Sequence, residues 1–289
     1  IGYAGSQGVH LVHQNEDVNV VGPENMSFNA TGCDCFVVNP AAYGRFINPN
    51  YGNIRASNWY GQSNYHGLQF NLTQRPVKGL SYQVAYTWSK NLTDNASDRS
   101  NAPQNSYNWH DGEYGPATLD RRHVLTVNYV YPVPFFKNSK NAFLKYGVGG
   151  WQFSGITRFA TGLPFTVTTS NVDPAGLGIL GSSSASSRPD MVCDPNVGAP
   201  HNVGLNGQWF NTQCFQEVTS GTIRPGNAGR GVVRGPGFQV WDVSLFKNIP
   251  VGERVKLQLR LETFNTFNHA NPSGFGSTNR TSSDRKSTR

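Results

Sequence analysis

The densest group of chemistry-bearing side chains is Asp120-Arg121-Arg122-His123. A carboxylate, two guanidiniums and an imidazole in a row could bind an anion or move a proton. Nothing nearby completes a catalytic set. The chain has no Gly-x-Ser-x-Gly elbow, no paired catalytic carboxylates and no Ser/His/Asp order. The cluster therefore reads as a salt-bridged patch where a strand leaves a loop.

Other candidates reduce the same way. Lys256, Arg260 and Glu262 alternate along one segment and could suggest a catalytic set. With Gln258 they read better as the polar face of a strand, paired across a hairpin with Asp242. His10 and His13 could ligate a metal, but no carboxylate cluster accompanies them. Gly226-Asn227-Ala228-Gly229-Arg230-Gly231 lacks the Lys-Ser/Thr and the strand–helix setting of a phosphate cradle. The 4 cysteines fall in stretches read as loops, which suits disulfides in an oxidising compartment. Cys33 and Cys35 are too close for an easy bridge, so Cys193–Cys214 is the expected pair. Zinc is the alternative, without a Cys-x-x-Cys or His-x-x-x-His to support it. No enzyme, metal or cofactor is expected.

The elements that carry these residues are strands. Between Gly237 and Asn271, Trp241, Val243 and Leu245 alternate with Asp242 and Ser244; Val255, Leu257, Leu259 and Leu261 alternate with Lys256, Gln258, Arg260 and Glu262. A period of two gives one apolar and one polar face. The same pattern predicts strands at 63–75, 80–91, 117–131 and 148–161, a strand end at 1–4, and short pairings near 35–38 and 51–57. Each long strand has about the 9–11 residues that cross a bilayer when tilted.

Composition agrees. Mean hydropathy is -0.48, and no apolar run approaches the ~20 residues of a membrane helix. Charged residues are 14%, with 32 Gly, 17 Pro and 12% aromatic residues, which favours turns and strands. The net charge of +7 comes from scattered basic residues, and the Arg280–Arg289 cluster lacks interleaved aromatics, so nucleic acid is not an expected partner.

The predicted connections alternate: long (5–61), short (76–79), long (92–115), medium (132–146), long (162–236), short (250–253). A meander across an outer membrane has long extracellular loops and short periplasmic turns. Strands 63–75, 117–131 and 238–249 would run inward, and 80–91, 148–161 and 255–267 outward. Tyr82, Trp88, Tyr129, Tyr131, Trp151 and Trp241 would form interfacial girdles. Segment 178–187, GILGSSSASS, is near low complexity.

Several segments, in order, carry a resemblance: IGYAGSQGVHL, SNYHGLQFNLTQRPVKGLSYQVAYTWSKNLTD, LDRRHVLTVNYVYPVPF, VGGWQFSGITRFATGLPFTV, GNAGRGVVRGPGFQVWDVSLFKNIPV and RVKLQLRLETFNTFNHANP. The chain resembles the C-terminal barrel portion of Oar-like TonB-dependent outer-membrane transporters of the Acidobacteria type. The resemblance implies a barrel of about 22 strands, an N-terminal plug and a periplasmic segment that contacts TonB. It also implies a solute, not named by the sequence, bound at extracellular loops.

The expectation is thus an all-β protein. It is an antiparallel meander forming part of a large transmembrane outer-membrane β-barrel with long extracellular loops. Residues 1–272 would be a partial transporter barrel, incomplete at the N-terminus and without its plug; 273–289 would be a polar tail, disordered or aberrant. Expected partners are outer-membrane lipid, the TonB system through the missing N-terminal part, and the solute. Asp242, Gln258, Arg260 and Glu262 would line the lumen. A surface or secreted β-protein with a binding or adhesive role is the alternative. The two differ in whether Leu68, Phe70, Leu257, Leu259 and Leu261 pack in a dry core or form an exposed apolar band.

Overall fold

The computed structural model describes residues 1–15, 18–19, 26–29, 35–38, 48, 50–52, 54–95, 103–104, 112–136, 139–141, 143–169, 188–202, 207–216, 218, 225–250 and 255–272. Seven long strands run in chain order. They are β1 (Gly2–Asn15), β2 (Ala56–Val77), β3 (Leu80–Thr93), β4 (His123–Pro132), β5 (Trp151–Ala160), β6 (Phe238–Pro250) and β7 (Lys256–Thr263). Each pairs antiparallel with the next in one eight-stranded sheet, whose remaining member, Gly115–Pro116, pairs with β3. The architecture is an all-β meander.

Register carries each face across the whole sheet. Leu72, Val84, Val127, Thr157 and Trp241 lie side by side on one face. One residue along, Asn71, Ala85, Thr126, Arg158 and Val240 lie side by side on the other. Leu245 sits between Phe153 and Leu261 on the apolar face. The tyrosines and tryptophans of the expected girdles all share that face. Trp88 and Trp241 lie toward the long-connection end; Tyr82, Tyr131 and Trp151 lie toward the short-turn end.

The apolar face is uncovered. Leu68 is 43% exposed, Phe70 37%, Leu257 50%, Leu259 49% and Leu261 61%. A sandwich would bury these residues against a second sheet, so the dry-core alternative fails for the described residues. The buried hydrophobic cluster lies elsewhere, in the connection after β5: Val167, Phe210, Phe215, Ala228 and Val233.

Three boundaries differ from the sequence expectation. The stretch 5–61 is not one loop, because β1 continues to Asn15 and β2 begins at Ala56. Polar residues here still pair their backbones, as Gln14 with Ser57 and His13 with Asn58. Alternation is hidden by bulges around Leu11, next to His10 with φ 57°. Because the β3 ladder leaves β2 at Ser63, residues 56–61 extend about 20 Å further in a ladder with β1 alone. Second, β4 starts at His123, not at 117, because 117–120 form a turn closed by Asp120 N–H donating to Ala117 O at 2.8 Å. Third, region 162–236 has structure of its own. Pro164–Phe165 pairs with Val233–Arg234, Asp190–Met191 pairs with Phe215–Gln216, and Thr212–Cys214 forms a short 3-10 turn. In the 16–55 connection, Met26–Asn29 pairs with Cys35–Val38. Segments 178–187, 251–254 and 273–289 lie outside the described residues.

A short turn joins β2 to β3, with a bulge between Gln74 and Val77. Between β2 and β3 only Lys78 (φ 51°) and Gly79 (φ 90°) are unpaired, both left-handed, as a two-residue turn matched to strand twist requires. Within the sheet, the Tyr129 ring covers Gly155, where a Cβ would meet the Tyr129 hydroxyl and the Asp242 carbonyl. An aromatic thus fills the gap that the glycine leaves. Replacing Gly79 by Val should cost about 1–2 kcal/mol through the left-handed backbone. Urea unfolding of the folded protein in detergent checks it; an unchanged midpoint would show that this turn does not set the hairpin.

Candidate functional site

The charged residues of the strands divide by face. Arg158, Asp242, Arg260 and Glu262 share the polar face, with Gln83, Asn128, Gln152 and Gln258 in the same ladders. The four expected lining residues therefore lie on one surface, but not in the expected pairing. Arg260 stands opposite Phe246, its guanidinium 4.6 Å from that ring, and Glu262 stands opposite Ser244. Arg260 reaches Glu262 at 3.5 Å. Asp242 accepts the Asn265 N–H at 2.9 Å, closing the end of β7. The cross-hairpin pair with Asp242 is thus replaced by a pair along one strand, because register sets Asp242 beyond the reach of Arg260.

Lys247 breaks the pattern by lying on the apolar face, where it is 4% exposed. Its Nζ donates to the carbonyls of Gly147 (2.6 Å) and Gly149 (3.0 Å) and stands 4.8 Å from the Trp151 ring. These acceptors belong to the one-turn π-helix Leu144–Val148 and its cap. The cation is consumed by structure at the short-turn end of the sheet.

At the opposite end, the long connections fold onto one another through buried charge. Glu113 Oε1 accepts from Arg188 at 2.5 Å and from Gln104 N–H at 3.0 Å. Arg188 also donates to Gly112 O at 3.0 Å, and Gln104 donates to Gly226 O at 2.8 Å. Arg230 donates to Asp94 O at 2.9 Å, with its guanidinium 3.9 Å from Glu113. Burial pulls the Arg230 guanidinium below its usual value, while Glu113 and Asp94 act in the other direction. Cys193 and Cys214 are joined by a disulfide, which staples the 188–216 segment beside the hydrophobic cluster. Cys33 lies outside the described residues.

Asp120 belongs to this scaffold. It is 2% exposed. Its carboxylate accepts the Asn91 N–H at 2.7 Å and Arg234 at 2.5 Å. Its neighbours part to different surroundings. Arg121 donates to Thr161 O at 2.7 Å and lies 5.1 Å from the Phe238 ring on the polar side. His123 shares the apolar side, its Nδ1 2.8 Å from the Tyr86 hydroxyl. The cluster is therefore a junction that ties β3 and the start of β4 to Arg234. His10 sits at the β1 bulge and His13 is buried against Tyr60, and no metal-holding cluster forms among the described residues. The glycine-rich 226–231 segment brings Arg230 to Glu113.

Sequence reasoning missed Glu113, Arg188, Arg230 and Arg234. Arg230 and Arg234 sit four apart in GRGVVRG, but a turn at Arg230-Gly231, with Gly231 at φ 61°, comes between them, so the spacing gave no signal. The acids they meet lie far away in sequence.

These features define a class: an antiparallel meander with one uncovered apolar face, one charged face, a two-residue turn between β2 and β3 at one end and a folded cap at the other. The chain matches the family described as an outer membrane beta barrel domain over residues 1–288. It belongs to that family, and its location is the bacterial outer membrane. No curated protein matches it.

Two outcomes follow from this arrangement. Val127→Arg on the apolar face should cost about 2–4 kcal/mol, whereas Asn128→Arg on the polar face should be near neutral; urea unfolding from lipid vesicles compares them. Glu113→Gln should weaken the cap by about 3–5 kcal/mol, because it strands Arg188 in a buried site. Hydrogen exchange would rise across 188–234 while strands β3–β6 keep their protection.

Proposed function

We propose that this chain is part of a TonB-dependent outer-membrane transporter of the Oar-like type, taking up a solute from outside the cell. The observation that carries the reading is the cap. Long outer connections are held in a fixed arrangement by a buried ion-pair network and a disulfide, above a polar strand face. Loops that only linked strands would need no such order, whereas a binding surface does. The ordered family resemblance along 1–272 supports the finer assignment.

In this reading the apolar face meets lipid, because an isolated charge there is costly. The polar face lines the lumen, where Arg158, Asp242, Gln258, Arg260 and Glu262 offer charge and hydrogen bonds of both signs. Solute binds at the outer connections. The energy for its passage comes from the inner membrane through TonB, acting on a plug outside this sequence. The chain itself does no covalent chemistry, and its partners are lipid, the solute and the TonB system.

A surface-binding role without transport is the second reading. The extension of β1 and β2 beyond the other strands favours it, since it places paired backbone well outside the bilayer. The test is a comparison of spent medium from host cells with and without the whole gene, each with and without TonB. A solute depleted only when both are present supports transport. Depletion that survives loss of TonB overturns it, and surface retention without depletion favours binding alone.

A further inference from the structure

The connections at the short-turn end differ from the rest of the chain in charge. Residues 75–80 hold Arg75 and Lys78, and residues 132–150 hold Lys137, Lys140 and Lys145. Residues 250–256 add Arg254 and Lys256 against one acid, Glu253. Of the chain's 24 basic and 17 acidic residues, these ranges take seven and one, which leaves 17 and 16 elsewhere. All but one unit of the net charge of +7 therefore belongs to one end of the sheet. In sequence the basic residues are scattered. The meander gathers them, because β2 and β3, β4 and β5, and β6 and β7 are all joined at that end.

The fold does not use these charges. Arg75, Lys78, Lys140 and Lys145 are exposed, and none pairs with an acid among the described residues. Lys78 stands on the turn itself, beyond the last paired residues Val77 and Leu80. Successive connections along this end lie two strands, or about 10 Å, apart. The rim is thus a row of positive clusters, not a single site.

Beside the row, a cavity of about 460 Å³ opens between the 132–150 connection and the ends of β5 and β6. Lys145, Tyr146, Trp151, Gln152 and Asn248 line it. The Lys247 ammonium donates to Gly147 O and Gly149 O, which ties the connection down and fixes one wall. Two aromatic rings, two carboxamides and a cation suit an acidic amino sugar. The rings take the apolar face of the sugar, the carboxamides its N-acetyl group, and Lys145 a carboxylate.

We propose that this rim docks peptidoglycan, the N-acetylated glycan of the bacterial cell wall whose peptide stems carry free carboxylates. In an outer-membrane barrel the short turns face the periplasm, where that polymer lies. Carboxylates repeated along a polymer match a row of positive clusters. A lipid headgroup would meet only the side of the wall, and not a lysine at the tip of a turn. The proposal needs the short turns to face inward, but not transport.

The probe is purified sacculi, sedimented with the full chain folded in detergent. Wild type should sediment with them, and should stay in solution when their carboxylates are amidated. Arg75→Glu with Lys78→Glu, and separately Lys140→Glu with Lys145→Glu, should each weaken binding about tenfold, as the loss of charge-assisted contacts requires. Arg75→Lys with Lys78→Arg should bind as wild type does. Heat-modifiable mobility on gels confirms that each variant is folded. Unchanged sedimentation of either charge-reversed pair, or of wild type with amidated sacculi, would overturn the proposal. Full displacement by phosphatidylglycerol would overturn it in favour of lipid, and polyglutamate bound as tightly as sacculi would overturn it in favour of an acidic protein. Lys78→Cys should escape an impermeant maleimide on intact cells, and labelling there would put the rim on the wrong side of the membrane.

Discussion

The constraint on which everything else depends is the pairing of backbone N–H and C=O groups in hydrocarbon. Each unpaired group there costs several kcal/mol, so strands must bond to their neighbours along their full length. From β1 to β7 each strand pairs with its neighbour in sequence, and among the described residues the outer edges of β1 and β7 are the two left for further strands to pair. Once pairing is fixed, alternation does the rest. A residue's parity decides whether it meets lipid or water, and the segregation of Val127 from Asn128 or Leu259 from Arg260 follows. The exposure of Leu257, Leu259 and Leu261 is then no defect, since a bilayer is the missing layer.

The cap solves a different problem. Outside the bilayer there is water to hydrogen-bond, and strand pairing is no longer compulsory. Order there has to be built from side chains. Glu113 gathers Arg188, Arg230 and the Gln104 backbone; Asp120 gathers Arg234 and the end of β3. Buried ion pairs are weak sources of net stability but are costly to break singly. They therefore serve arrangement more than energy. The small hydrophobic cluster around Phe215 and Val233 supplies the dehydrated setting in which those pairs hold.

Much of the fold was legible because the membrane imposes a simple code. Strands 80–91, 148–161 and 238–249 were visible from alternating residues, and their observed limits differ by only a few positions. The code fails where the membrane ends. β1 beyond Ala4 and β2 before Ser63 carry no apolar stripe, and a bulge at Leu11 shifts the parity further. In the cap, partners such as Asp94 and Arg230 are brought together by folding, not by spacing. The DRRH cluster was legible as a salt-bridged junction, yet Arg234, which completes it from 114 positions away, was not.

The two-residue turn at Lys78-Gly79 has an evolutionary consequence. Outer connections can lengthen or shorten freely, since each strand keeps its parity through the neighbours it pairs with. An insertion inside β3 has no such freedom. One added residue would send Tyr82, Val84, Tyr86 and Trp88 to the side now held by Gln83, Ala85 and Thr87. Lineages of this barrel should therefore diversify by length at one rim and by single substitutions everywhere else, so that novelty in surface shape accumulates on one side of the membrane only.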